Sequence, residues 1–146
     1  MFTIDRTLEI NAPAEQVWQV LTDFARYGDW NPFVPQAHCD LRIGGALKMQ
    51  VVLKKQMQQT EYINAVTPGK SFAYSMKPAP LGALRSLRVQ TVEPIDATRC
   101  RYISHFEIGG WLNPVVSLAM GAPMRQGFEA MAQGLKAQAE KLNQQR

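Results

Sequence analysis

Two histidines and two cysteines are the whole stock of imidazole and thiol groups in this chain: His38, His105, Cys39 and Cys100. His38 and Cys39 are adjacent, and neighbouring residues on a strand point to opposite faces, so they do not make a nucleophile–base pair. His105 falls out of phase with Tyr102, Ser104 and Phe106 and is expected to face solvent. The cysteines are far apart, with no CxxC and no histidine at metal-ligand spacing, which predicts two free thiols. A zinc site takes about four ligands, and too few are at hand. Asp5, Glu9, Glu61, Glu93 and Glu107 fall in the polar-face phase of their strands, where solvated carboxylates belong. General acid–base work needs a buried, perturbed group, and the pattern offers none. No glycine-rich phosphate loop, G-x-S-x-G or H-E-x-x-H is present. The expectation is no catalytic residue, no metal and no cofactor.

Polar side chains in the apolar phase are the more informative group. Tyr62, Asn64, Tyr74, Thr91, Tyr102 and Ser104 are predicted to point inward. Apolar walls carrying a few polar groups describe a ligand cavity. The same groups could instead hydrogen-bond one another inside a filled core. Met49, Met76, Met120, Met124 and Met131 supply adaptable lining that fits either reading. The stretch DWNPFVPQ, residues 29–36, sets Trp30 and Phe33 on a segment stiffened by Pro32 and Pro35. Neither helix nor central strand passes through two such prolines. The two aromatics are expected at the mouth of the cavity, with plain plugging of the core as the other reading.

The elements follow from periodicity. FTIDRTLEI alternates, with Phe2, Ile4, Leu8 and Ile10 on one face. Arg6 shares that face, either at an edge where its guanidinium reaches water or inside a cavity. Asn11 as cap, Pro13 and Glu15 open a helix whose stripe is Val17, Leu21 and Phe24. FARYGDW reads as a second short turn. From 36 to 108 the period is two, with turns at Gly44-Gly45 and Pro68-Gly69. Leu47, Met49, Val51 and Leu53 share a face, as do Tyr62, Asn64 and Val66. So do Leu87 and Val89, set against Arg88 and Gln90. After Trp111, Phe128, Met131, Leu135 and Leu142 mark a helical stripe, while Pro114 and Pro123 are expected to kink or break the upstream part. The result is an α+β fold: a curved antiparallel sheet of about seven strands around a long C-terminal helix, with two short helices after strand 1.

Length and composition bound the rest. The 146 residues suit one domain, residues 1–146, with ordinary globular content of 46% hydrophobic and 19% charged residues. No apolar run approaches the roughly 20 residues that span a bilayer, and Asp5 and Glu9 interrupt any signal-peptide core. A cytoplasmic protein without membrane insertion is expected. The net charge of +4 is spread out and forms no basic stripe, so nucleic acid is not an expected partner.

The opening Ile10, Ala12, Pro13, Glu15, Val17, Trp18, Val20, Leu21 and Asp23 resembles the signature of the START-like (SRPBCC) superfamily. Tyr27, Trp30, Asn31, Pro32 and Phe33 continue it in the manner of its polyketide cyclase/dehydrase and lipid transport branch. Gly110, Leu112 and Pro114, then Gly127, Phe128, Glu129 and Met131, are similar to the ending of such members. The resemblance implies a helix-grip fold with a central cavity for a hydrophobic or amphipathic small molecule, and implies no particular reaction. The lining expected is Trp30 and Phe33, then Met49 and Val51, then Tyr62, Asn64, Tyr74 and Met76. Leu87, Tyr102, Ser104 and Phe106 would complete the sheet side, and Val116 and Met120 the helix side. Non-catalytic binding of a lipid-, quinone- or polyketide-like ligand, by a monomer or homodimer, is the leading expectation. A cyclase or dehydratase and a chaperone-interacting module are its rivals.

Overall fold

A computed structural model describes residues 1–145. Seven strands form one antiparallel sheet in the order β1-β7-β6-β5-β4-β3-β2. They are β1 (Phe2–Ile10), β2 (Gln36–Cys39), β3 (Ala46–Val52), β4 (Gln56–Thr67), β5 (Ser71–Met76), β6 (Arg85–Pro94) and β7 (Cys100–Gly109). Helix α1 (Ala14–Thr22) and a 3-10 turn (Phe24–Asp29) follow β1, and a further 3-10 turn spans Pro80–Gly82. Helix α2 (Asn113–Gln144) ends the chain and lies across the concave face. This is the α+β architecture the periodicity predicts, in the helix-grip arrangement the family resemblance implies.

Helix α1 starts at Pro13, whose carbonyl accepts from the amides of Gln16 and Val17. Asn11 is not its cap; its own amide donates to Glu140 at 2.8 Å. Val17, Val20 and Leu21 are buried, as a stripe three and four apart requires. Helix α2 runs unbroken through both prolines, against expectation. Pro114 sits in the first turn, where a missing N–H costs nothing. Pro123 removes one interior bond, and the buried Gly121 and Met124 on either side of it hold the helix to the sheet. Phe128, Met131, Leu135 and Ala139 then form its buried stripe.

Two strands reverse the predicted phase. In β4 the inward residues are Glu61 and Ile63, so Tyr62 and Asn64 face outward and Tyr62 is 42% exposed. The pairing with β5 slips between Ile63 and Ala65. One extra residue there flips the alternation, so Val66 gives the wrong phase for the residues before it. In β6 the inward residues are Arg88, Gln90 and Val92, which leaves Leu87, Val89 and Thr91 on the outer face. Cross-strand register imposes this, because Arg88 stands opposite Phe106 and Gln90 opposite Ser104. One row across the sheet therefore reads Ile4, Phe106, Arg88, Tyr74 and Ile63.

Arg6 lies on edge strand β1 and meets Glu129 of α2 at 2.7 Å, with its side chain 39% exposed. His105 lies on the outer face and pairs with Asp5 at 2.5 Å. Cys39 and Cys100 are both free. Among the described residues no helix is long and apolar enough to cross a membrane.

Candidate functional site

The middle of that row, Phe106, Arg88 and Tyr74, lines a cavity of about 60 Å³ that Met124 and Phe128 of α2 also border. Strands β3 to β7 contribute Met49, Val51, Gln59, Glu61, Tyr74, Arg88 and Phe106. Helix α2 contributes Met124 and Phe128, while Phe33, Val34 and Leu53 close one side. The walls are mostly apolar, and the polar groups gather on the sheet.

Arg88 is the centre of that polar floor, 4% exposed. Its Nη1 donates to the Tyr74 hydroxyl at 3.2 Å and reaches the Met131 sulfur at 3.5 Å. Its Nη2 faces the Ser104 hydroxyl at 3.3 Å, the Tyr102 hydroxyl at 3.5 Å and the same sulfur. The guanidinium carbon stands 4.3 Å from the centre of the Phe128 ring, a cation–π arrangement. Gln90 joins the floor by donating to Tyr74 at 3.0 Å and accepting from Tyr102 at 2.6 Å. Among the described residues Nε of Arg88 has no partner.

Glu61 brings a carboxyl to the same wall, 7% exposed. Its Oε2 accepts from Gln59 at 3.1 Å. Burial pushes its carboxyl up to about 7, against the opposing pull of the Arg88 charge. Burial likewise pushes Tyr74 up to about 12 and raises Tyr102, so both phenols stay neutral near neutral pH. The floor thus holds one guanidinium and one carboxyl that titrates near neutrality. Such a pair can orient a polar ligand end, steady a developing oxyanion, or move a proton.

The proline-rich segment closes the site in a defined way. Asn31 Oδ1 accepts from the amides of Phe33 at 3.1 Å and Val34 at 2.9 Å, and the Phe33 carbonyl accepts from Val52 at 2.8 Å. The Phe33 ring packs edge-on against Phe128, centroids 5.0 Å apart. Helix α2 admits the segment at two glycines seven residues apart. A methyl at Gly127 would strike the Phe33 ring, and one at Gly134 would strike the Trp30 carbonyl. Phe33 also lines an outer groove of about 380 Å³ with Leu53, Lys54, Pro123 and Gly127. Phe33 and Leu53 therefore separate the inner cavity from the groove. Trp30 instead plugs the core, packed edge-on against Tyr27 at 4.9 Å.

Phe33, Met49, Val51, Tyr74 and Phe106 are the sequence-predicted residues that meet on the cavity wall. Tyr102 and Ser104 are buried just behind it, holding Arg88. Val116 and Met120 are half-buried on the first half of α2 and lie outside the wall, because the helix passes the cavity at Met124 and Phe128. Tyr62, Asn64 and Met76 border a separate surface groove, and Leu87 lies on the outer face. Sequence reasoning missed Glu61 and Arg88, whose charge argued for solvent. Their signal was phase: Glu61 is two residues from Ile63, and Arg88 is in step with Val92.

The chain superimposes on the Zhui aromatase/cyclase from Streptomyces sp. R1128 with a TM-score of 0.78 and 16% identity, covering 96% of this chain and 94% of that one. A START superfamily protein from Mycobacterium smegmatis gives 0.75 at 15% identity, covering 96% and 98%. Norcoclaurine synthase from Thalictrum flavum, in complex with dopamine and hydroxybenzaldehyde, gives 0.70 at 18% identity, covering 96% and 87%. At these identities the likeness is one of fold. No curated protein matches the sequence. The sequence profile of one family spans residues 1–140, and the chain belongs to that family, polyketide cyclase/dehydrase and lipid transport.

Proposed function

We propose that the chain binds a small apolar or aromatic molecule between the sheet and α2, without chemistry of its own. The observation that carries this reading is a void with apolar walls and a polar floor, in an interior that close packing would otherwise fill. At about 60 Å³ it is smaller than the roughly 150 Å³ cavity known to hold benzene. Occupancy therefore requires side chains to move, and Met49, Met124 and Phe33 are the mobile-jointed ones on the wall. Two free cysteines fit a reducing, cytoplasmic setting.

The test is uptake of a neutral fluorescent probe, N-phenyl-1-naphthylamine. Wild type is expected to bind it with a rise in emission, and Val51→Phe to lose uptake while keeping its fold. A folded Val51→Phe that binds as wild type would place uptake elsewhere.

A second reading, a cyclase or dehydratase, is favoured by Glu61 titrating near 7 on the same wall as Arg88. Native mass spectrometry of co-purified small molecules separates the two. The same ligand mass in wild type and Glu61→Gln supports binding alone. A mass heavier by one water in Glu61→Gln supports a dehydrating enzyme.

A further inference from the structure

We propose that the occupant is an apolar monocarboxylic acid, bound with its carboxylate against Nε of Arg88 and its apolar body directed past Phe33 and Leu53. This rests on the reading of the cavity as a ligand site and names the class of ligand.

A guanidinium carries five N–H bonds. The two terminal nitrogens of Arg88 face Tyr74, Ser104, Tyr102 and the Met131 sulfur, which accounts for four of them. The fifth, on Nε, is buried and finds no acceptor among the described residues. Every one of those acceptors is neutral, and the ring stacked on the group is that of Phe128. Among the described residues no carboxylate comes within ion-pair distance of Arg88. A buried cation without an anion is a costly arrangement, relieved when an anion arrives. The free N–H belongs to a residue of the cavity wall, where a ligand can supply that anion.

The size and donors of the site select the anion. The inner cavity holds about 60 Å³, enough for a small head group and not for a bulky phosphate ester. A carboxylate has two oxygens to satisfy. One takes the Nε–H of Arg88, and the other takes a proton held on Glu61, which lines the same cavity. Loading at neutral pH therefore draws a proton from solvent onto Glu61. The other titratable groups facing Arg88 are Tyr27 from the 3-10 turn, Tyr74 from β5 and Tyr102 from β7, all held neutral by burial. Among the described residues α2 presents Met124, Phe128 and Met131 to the floor, and β3 Met49 and Val51, none of them titratable. Beyond Phe33 and Leu53 the outer groove offers about 380 Å³ with mostly apolar lining, Lys54 and Gln126 being its polar members. A slender body lodged there is continuous with a head group at Arg88.

The experiment displaces N-phenyl-1-naphthylamine with octanoate and with octanamide, which differ only in the head group. Octanoate is expected to displace the probe from wild type at a concentration lower by roughly tenfold or more at about pH 6. That advantage should shrink at about pH 8.5 in wild type and stay constant in Glu61→Gln. In Arg88→Met the two ligands should become equal. Equal displacement of wild type by acid and amide overturns the carboxylate inference and leaves the apolar-cavity reading standing. Displacement by neither overturns both. An acid preference that survives in a folded Arg88→Met also overturns the inference, by shifting recognition to a cation such as Lys54. The wild-type comparison decides the matter even if Arg88→Met does not fold.

Discussion

Glu61 sits where its own charge is penalised, and stability should record this as a function of pH. A carboxyl whose folded-state pKa is raised stabilises the fold fully below its unfolded value. That contribution is lost as pH climbs through the folded value. For Glu61 the window runs from 4.5 to about 7. Wild type and Glu61→Gln should therefore be equally stable at the acid end. Above about pH 7.5 wild type should be the weaker by about 1–3 kcal/mol. Urea unfolding at both ends measures the gap, and a gap of one size throughout would mean that Glu61 carries no burden. His105, raised by its bond to Asp5, loses its own contribution as pH rises, but equally in both proteins, so it cancels. The phase that placed Glu61 and Arg88 inward was overridden in the sequence for a physical reason. Lys, Arg, Glu and Asp are almost never buried, so charge outvotes phase when a strand is read alone. The pairing partners, Phe106 opposite Arg88 and Tyr74 one strand further, settle the inward face in favour of phase.

Among the elements, regular ones were readable and irregular ones were not. The stripe of α1 and the run Phe128, Met131 and Leu135 in α2 obey a fixed period, and burial follows it. Strand β7 alternates without interruption, so Tyr102, Ser104 and Phe106 lie where the period puts them. The bulge in β4 defeats any constant period, since one added residue exchanges the two faces. The seating of the proline-rich segment on α2 was equally hidden, because Gly127 and Gly134 are small for a neighbour distant in sequence. The two glycines should respond differently to a methyl. At Gly127 the obstacle is the ring of Phe33, which can rotate aside, so Gly127→Ala should cost about 1 kcal/mol and hasten probe entry. At Gly134 it is the backbone oxygen of Trp30, and Gly134→Ala should cost about 3 kcal/mol. Thermal denaturation and stopped-flow uptake of both variants give the comparison. Equal losses of stability would show the Phe33 ring to be as fixed as backbone.

At the scale of the whole molecule, the two ends of the chain are fastened to each other. Strand β1 pairs with β7 along its full length, Arg6 meets Glu129, and the amide of Asn11 and the carbonyl of Glu9 meet Glu140 and Lys136. The first strand therefore cannot find its partner until more than two thirds of the sequence has been made. Long-range antiparallel pairing of this kind folds on a scale of about milliseconds to seconds. The cavity inherits that dependence, because its wall draws on residues from Phe33 to Phe128 and does not exist in any fragment. An occupant can thus bind only the finished fold, and by mass action it must resist every opening that dismantles the wall. Among the described residues β1 gives none to the wall and borders it only where Ile4 pairs with Phe106, yet its amides should exchange with deuterium more slowly once the probe is bound. Protection confined to β3 through β7 would instead reveal that the cavity opens without unzipping the closing strand. If β1 is protected, the join between β1 and β7 acts as a clock: ligand lifetime is set by how rarely that seam parts, not by the contacts inside.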